Sequence, residues 1–174
     1  MRTHVLSAAL AALFLAPLAA QAGRLDIAVI QFTDKRDPAI IAEGLRSVDL
    51  AKVTDSDRTE TNVAGLRAGW VVFSQSMAVS PGNSFSTSTR LTNQRADVTG
   101  SLNGSKLSVQ ITILEGVKIG LRKYRQSSYS GSGSVAGGGP QLISVTRSTG
   151  KTANSRGRIS SYDFTTIIAA SYTP

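Results

Sequence analysis

Residues 25–32, Leu-Asp-Ile-Ala-Val-Ile-Gln-Phe, are rich in β-branched side chains and carry apolar residues at both odd and even positions. That pattern predicts a central strand covered on each face. Asp37-Pro38 then supplies an N-cap and a first-turn proline. Ile40, Ile41, Leu45 and Val48 follow at near-helical spacing, which predicts one short helix. Leu50–Thr54 reads as a short strand and Asp55-Ser56-Asp57 as a turn. Trp70–Gln75 is a strong strand, stopped by Pro81-Gly82-Asn83. Ser84–Arg90 is low in complexity but still alternates, with Phe85, Thr87, Thr89 and Leu91 on one side.

Asn103-Gly104 between alternating runs predicts a tight hairpin. A two-residue loop there sets Leu102 against Ser105, Gly100 against Leu107, Val98 against Val109 and Ala96 against Ile111. A three-residue loop at Leu114-Glu115-Gly116 would then turn Val117 against Ile113 and Ile119 against Ile111. Residues 95–126 are thus predicted as a three-stranded antiparallel meander. Its outer face would carry Lys106, Lys118, Arg122 and Tyr124, with Lys123 and Arg125 continuing the inner face past the core edge. The Ser/Gly-rich stretch 127–140 reads as a flexible loop. Gln141–Thr146 reads as a strand, Ser148–Arg158 as a basic loop and Tyr162–Tyr172 as a final strand. The expected class is mainly β: an antiparallel β-sandwich, or a sheet, with one short packed helix.

The first residues follow a different pattern. A short polar start with Arg2 and His4 precedes an uncharged Ala/Leu run to Ala19, and Ala20-Gln21-Ala22 supplies a small-residue cleavage site. This is the form of a secretory signal peptide. The run is too short and Pro-interrupted to span a bilayer. The expected organisation is a signal peptide over 1–22 and one β-rich domain over 23–174, exported to the periplasm, cell surface or medium, with no transmembrane span.

Composition then narrows the chemistry. The 174 residues contain no cysteine and one histidine, His4, which falls in the leader. A mature chain of this composition has no Ser-His-Asp triad, no thiol nucleophile and no imidazole ligand. The motif Ser148-Thr149-Gly150-Lys151-Thr152 lacks the earlier glycine of a phosphate-binding loop, since Val145 stands there. Asp55, Asp57 and Glu60 lack the calcium-loop spacing. Neither a cofactor nor a metal site is expected.

Charge is the remaining signal. The whole chain carries a formal +8, but residues 23–60 hold six Lys/Arg against eight Asp/Glu, while 61–174 hold twelve against three. A basic remainder of this kind suits an anionic partner. Lys118-Ile119-Gly120-Leu121-Arg122-Lys123-Tyr124-Arg125 is its densest segment, pairing cations with an aromatic ring. The expectation is a non-enzymatic binding or structural protein in surface assembly, secretion or adhesion. Lys106, Lys118, Arg122, Lys123, Tyr124 and Arg125 would contact an anionic polysaccharide, lipopolysaccharide or envelope protein. No nucleic-acid motif accompanies them. Two alternatives stand beside it. One is a secreted polysaccharide hydrolase using carboxylates such as Asp26, Asp34, Asp37 and Glu43. The other is an inhibitor or toxin-like binding module.

Overall fold

A computed structural model describes residues 22–33, 37–53, 61–63, 66–91, 94–117, 123–153 and 157–174. The first strand, β1 (Gly23–Phe32), is central in a five-stranded antiparallel sheet. The sheet also contains β2 (Thr61–Val63), β3 (Leu66–Val79), β8 (Gln141–Ala153) and β9 (Ile159–Thr173), in the order β2-β3-β1-β9-β8. The intervening strands β4 (Ser84–Leu91), β5 (Gln94–Asn103), β6 (Lys106–Val117) and β7 (Lys123–Ser134) form a second sheet, a meander in chain order.

The two-faced pattern of β1 is used as its sequence implies. Leu25, Ile27 and Val29 point into a core shared with the second sheet, where they meet Val98, Leu107, Val109 and Ile111. Ala28, Ile30 and Phe32 point the other way, into a second core closed by the helix α1 (Pro38–Leu45) and a 3-10 helix, Leu50–Lys52. β9 is divided in the same way, with Ile168, Ala170 and Tyr172 in the first core and Ile167 and Ala169 in the second. The molecule is therefore a β-sandwich with a helical layer on one outer face. The expected helix is present: Asp37 Oδ1 accepts from the Ala39 amide at 2.8 Å and Pro38 occupies the first turn. Ile41 and Leu45 are buried, whereas Ile40 faces solvent.

Bulges let single strands serve both cores. Against β9, the β8 register jumps between Leu142 and Ser144, leaving Ile143 unmatched. The extra residue shifts the alternation by one position. Leu142 and Val145 then pack on the helical side while Ile143 enters the sandwich core.

Four local expectations are corrected. First, Leu50–Lys52 is a 3-10 helix and not a strand, with Asp49 capping the Ala51 amide at 3.2 Å. Second, the hairpin loop is Gly104-Ser105, so Leu102 pairs with Leu107, Gly100 with Val109, Val98 with Ile111 and Ala96 with Ile113. This two-residue offset keeps every side chain on its expected face. It also replaces a Leu–Ser pair by a buried Leu–Leu pair, and Gly104 takes the positive φ of 59° that the loop requires.

Third, β6 continues through Glu115-Gly116 to Val117, and Lys106–Val117 pairs with Lys123–Ser134 along its whole length. The Ser/Gly tract is therefore mostly strand. A Cβ on Gly131 would lie 2.6 Å from Cβ of Ser144, and one on Gly133 3.4 Å from Cα of Ile143. The glycines allow β7 to close against β8 of the opposite sheet. Fourth, β8 runs to Ala153, so the Ser148–Thr152 motif is extended strand, with Gly150 opposite Tyr162.

Candidate functional site

The sandwich has one end where its sheets are joined by short connections. There β3 passes into β4 through 80–83, and β7 into β8 through 135–140. Backbone hydrogen bonds from Gly82 to the Leu102 carbonyl (2.6 Å) and from Val135 to the Ser105 carbonyl (2.8 Å) tie these corners to the β5–β6 hairpin. The 3-10 helix of the helical layer borders this end. The five-stranded sheet forms the floor of a groove of about 700 Å³ there, within the roughly 300–1,000 Å³ of small-molecule sites.

The floor is polar because β1 changes character there. Cross-strand register aligns Ser76, Asp26 and Ser171 on β3, β1 and β9, and places Arg24 beside Thr173. Asp26 and Ser171 are 6% and 7% exposed. Asp26 Oδ1 accepts from Arg24 Nε at 2.9 Å and from the Ser76 hydroxyl, and Arg24 Nη2 donates to Ser76 Oγ at 3.1 Å. Arg24 is thereby fixed with its side chain half exposed at the groove. Val48, Leu50, Ala51, Pro140 and Pro174 form apolar walls. Asp49 stands at the rim, paired with Lys52 at 3.1 Å. Lys52's ammonium, chiefly by hydrogen bonding, holds the Asp49 carboxyl below its ordinary value, and the charge of Arg24 adds to this.

The expected contact residues that the structure describes fall at two ends of β6. Lys106 opens β6, opposite Asn103 and Ser134, at the joined end. Lys123, Tyr124 and Arg125 open β7 opposite Val117, Gly116 and Glu115, roughly 35 Å away along β6 at about 3.4 Å per residue. Lys118 and Arg122 lie outside the described residues. Register adds two cations that the sequence reading missed. Arg90 pairs with Arg95 across the β4–β5 hairpin, one row from the Glu115–Arg125 pair. Arg95 Nε reaches Asp97 at 3.1 Å. The signal was available: Thr92-Asn93 separates two alternating runs, and pairing them brings the arginines together.

Of the carboxylates weighed for hydrolysis, Asp37 is a helix cap, Glu43 is exposed on α1 and Asp26 lies in the groove. Asp34 lies outside the described residues, as do Asp55, Asp57 and Glu60. Among the described residues no cluster of His, Cys, Asp and Glu could hold a metal ion, and no helix is long and apolar enough to cross a membrane. No family model, curated protein or solved structure matches the chain.

Proposed function

We propose that this chain is an exported, non-enzymatic binding or structural protein of the cell envelope or its exterior. It contacts an anionic polymer through the end of the four-stranded sheet remote from the joined corners. One observation carries the reading. Antiparallel register gathers Arg90, Arg95, Lys123 and Arg125 at that end, and Lys118 and Arg122 belong to the stretch between β6 and β7. Asp97 and Glu115 are the acidic residues in the adjoining strand positions. Clustered cations at a sheet end raise the local concentration of a polyanion, and the attraction weakens with salt. Arginines add bidentate contacts to phosphate, sulfate or carboxylate. The leader-like residues 1–22 support export. Both carboxylates lining the groove, Asp26 and Asp49, are engaged by cations, which favours a binding role over a hydrolytic one.

The test is retention of the purified protein on immobilised lipopolysaccharide and on isolated envelopes across a salt gradient. Reversal at Lys118, Arg122 and Lys123 to Glu is expected to lower the eluting salt severalfold more than a matched reversal at Arg46, Lys106 and Lys151. The two triple variants change net charge equally. Equal elution of both would mean that total charge, and not the sheet end, governs binding.

A further inference from the structure

Along β9, β1 pairs only with Thr165–Thr173, whereas β8 and β9 stay paired out to Ala153 and Ile159. Residues 148–153 and 159–164 therefore form a two-stranded ribbon that reaches roughly 20 Å past the end of β1, at about 3.4 Å per residue. The ribbon lies at the basic end of the molecule. β8 runs away from the joined corners, and β7, whose Gly131 abuts Ser144, runs towards them. The start of β7, with Lys123 and Arg125, is thus at the ribbon's end, in the same sheet as Arg90 and Arg95. The ribbon also holds apolar side chains in water. Ile159 is 70% exposed and Tyr162 47%, and Ile40 is the other large hydrophobic exposed among the described residues. The Tyr162 ring lies across Gly150, where any Cβ would collide with it, and its centroid is 5.8 Å from that of the half-buried Phe164. By strand alternation the two rings stand on the face continuous with Ile168 and Ala170, and Ile159 stands on the other. Asp163, the one acidic residue of the ribbon, accepts from the Thr149 hydroxyl at 2.7 Å.

We propose that this end docks on an anionic phospholipid bilayer, with Ile159, Tyr162 and Phe164 entering the zone between headgroups and acyl chains. The inference rests on the basic-end reading above and names the partner of that end. Cations alone serve any polyanion. Exposed apolar anchors beside them add what only a lipid layer can cover, because burial of apolar surface and attraction to anionic headgroups combine in interfacial binding. Tyrosine suits that depth, with an apolar ring and a polar hydroxyl. A two-stranded ribbon has little core of its own, so an anchor on each of its faces is left to be covered from outside. The Gly150 seat and the Phe164 contact set the Tyr162 ring before docking, which lowers the ordering cost. A second copy of the chain is a poor occupant, since two such ends carry like charge and repel.

The chain has no cysteine, so a single introduced thiol reports position. Ser160→Cys on the ribbon and Ser132→Cys on the outer face of β7 each carry an environment-sensitive dye. The probes are vesicles of phosphatidylglycerol with phosphatidylcholine, vesicles of phosphatidylcholine alone, and heparin as a polyanion without lipid. The dye at 160 is expected to brighten and shift to the blue on phosphatidylglycerol vesicles and to be quenched by nitroxides on the acyl chains. The dye at 132 is expected to stay in water, and heparin is expected to move neither. In sedimentation with the same vesicles, Ile159→Ser/Tyr162→Ser, which leaves the charge unchanged, should bind tenfold or more weakly, while its retention on immobilised heparin matches the parent. The proposal is overturned if the dye at 160 stays in water on bound vesicles, if phosphatidylcholine alone binds equally well, or if the double variant binds vesicles as the parent does. In each case the contact with polyanions still stands. Equal elution of the two charge-reversal variants in the salt test removes the basic-end reading itself, so the two failures are separable.

Discussion

Gly131 shows how a single hydrogen atom in place of a side chain sets the spacing of the two sheets. Its missing Cβ would meet Cβ of Ser144 at 2.6 Å, a contact between two groups anchored on backbone. At Gly133 the closest atom is the flexible Cδ1 of Ile143, at 3.2 Å. Gly131→Ala is therefore expected to cost about 1–3 kcal/mol, in the range of overpacked cores, and Gly133→Ala distinctly less. Urea unfolding of the two variants checks the order, and equal losses would mean that the sheets part easily at this corner. Charged residues give a second expectation at this scale. Asp97, through a hydrogen bond from Ser88 and then through Arg95, and Asp49, mainly through Lys52, are held below the ordinary carboxyl value of 3.8. A folded-state value below the unfolded one means stability that is complete above the unfolded value and is lost as pH falls through the folded one. Stability should fall below about pH 4, by a small and salt-sensitive amount because both groups are exposed. The difference in urea midpoint between pH 5 and pH 3 should narrow in the Asp49→Asn/Asp97→Asn double variant. An unchanged gap would assign the acid sensitivity to other carboxylates.

At the scale of elements, local chemistry and long-range packing divide the explanation. β1, α1 and the 81–83 turn are legible in the sequence because their causes are local: two-faced apolar alternation, an Asp-Pro cap, a Pro-Gly-Asn stop. Asp37→Ala should accordingly cost about 1 kcal/mol, with Asp37→Ser recovering most of it. Thermal denaturation of the two variants measures this, and a Ser variant as unstable as Ala would remove the cap as the cause. The β5–β6 hairpin is legible in its faces but not in its register, because a two-residue offset preserves inside and outside and only the Leu102–Leu107 contact decides between the alternatives. β7 is legible only in its first residues, 123–126, and not in its register or in its Ser/Gly-rich remainder. Ser and Gly have low strand preference, and what makes 123–134 a strand is its pairing with β6 and its closeness to β8. The same misplaced turn hid the site. With the chain turning back at Glu115, Lys106 and Lys118 fall on one face. With β6 running on to Val117, Lys106 goes to the far end, and Arg90 and Arg95 stand one row from the Glu115–Arg125 pair. The groove was invisible for a related reason, since Arg24, Asp26, Ser76 and Ser171 meet only through three-strand register.

At the scale of the whole molecule, the position of Gly23 connects the architecture to the proposed export. Gly23 is the first residue of β1, pairs with Val79 and is buried. A Cβ there would lie 2.5 Å from the Thr173 carbonyl oxygen, so β1 begins with the one residue type that its neighbours admit. Cleavage after Ala22 keeps the whole strand and leaves the adjacent Arg24–Asp26 pair in place. Cleavage two residues later would remove Arg24, whose guanidinium bridges Asp26 and Ser76, and would leave Asp26 buried without its cation. A buried carboxylate deprived of its partner is strongly destabilising. The exported protein is therefore expected to have lost residues 1–22 and to start at Gly23. Intact-mass measurement of the protein recovered from the periplasm or medium reads this directly. Replacing Ala20 and Ala22 by Asp, which spoils the small-residue site, should leave the longer chain with the membrane fraction. A full-length, cytosolic protein in the unaltered strain would remove export, and with it the envelope as the place where the basic end meets its partner.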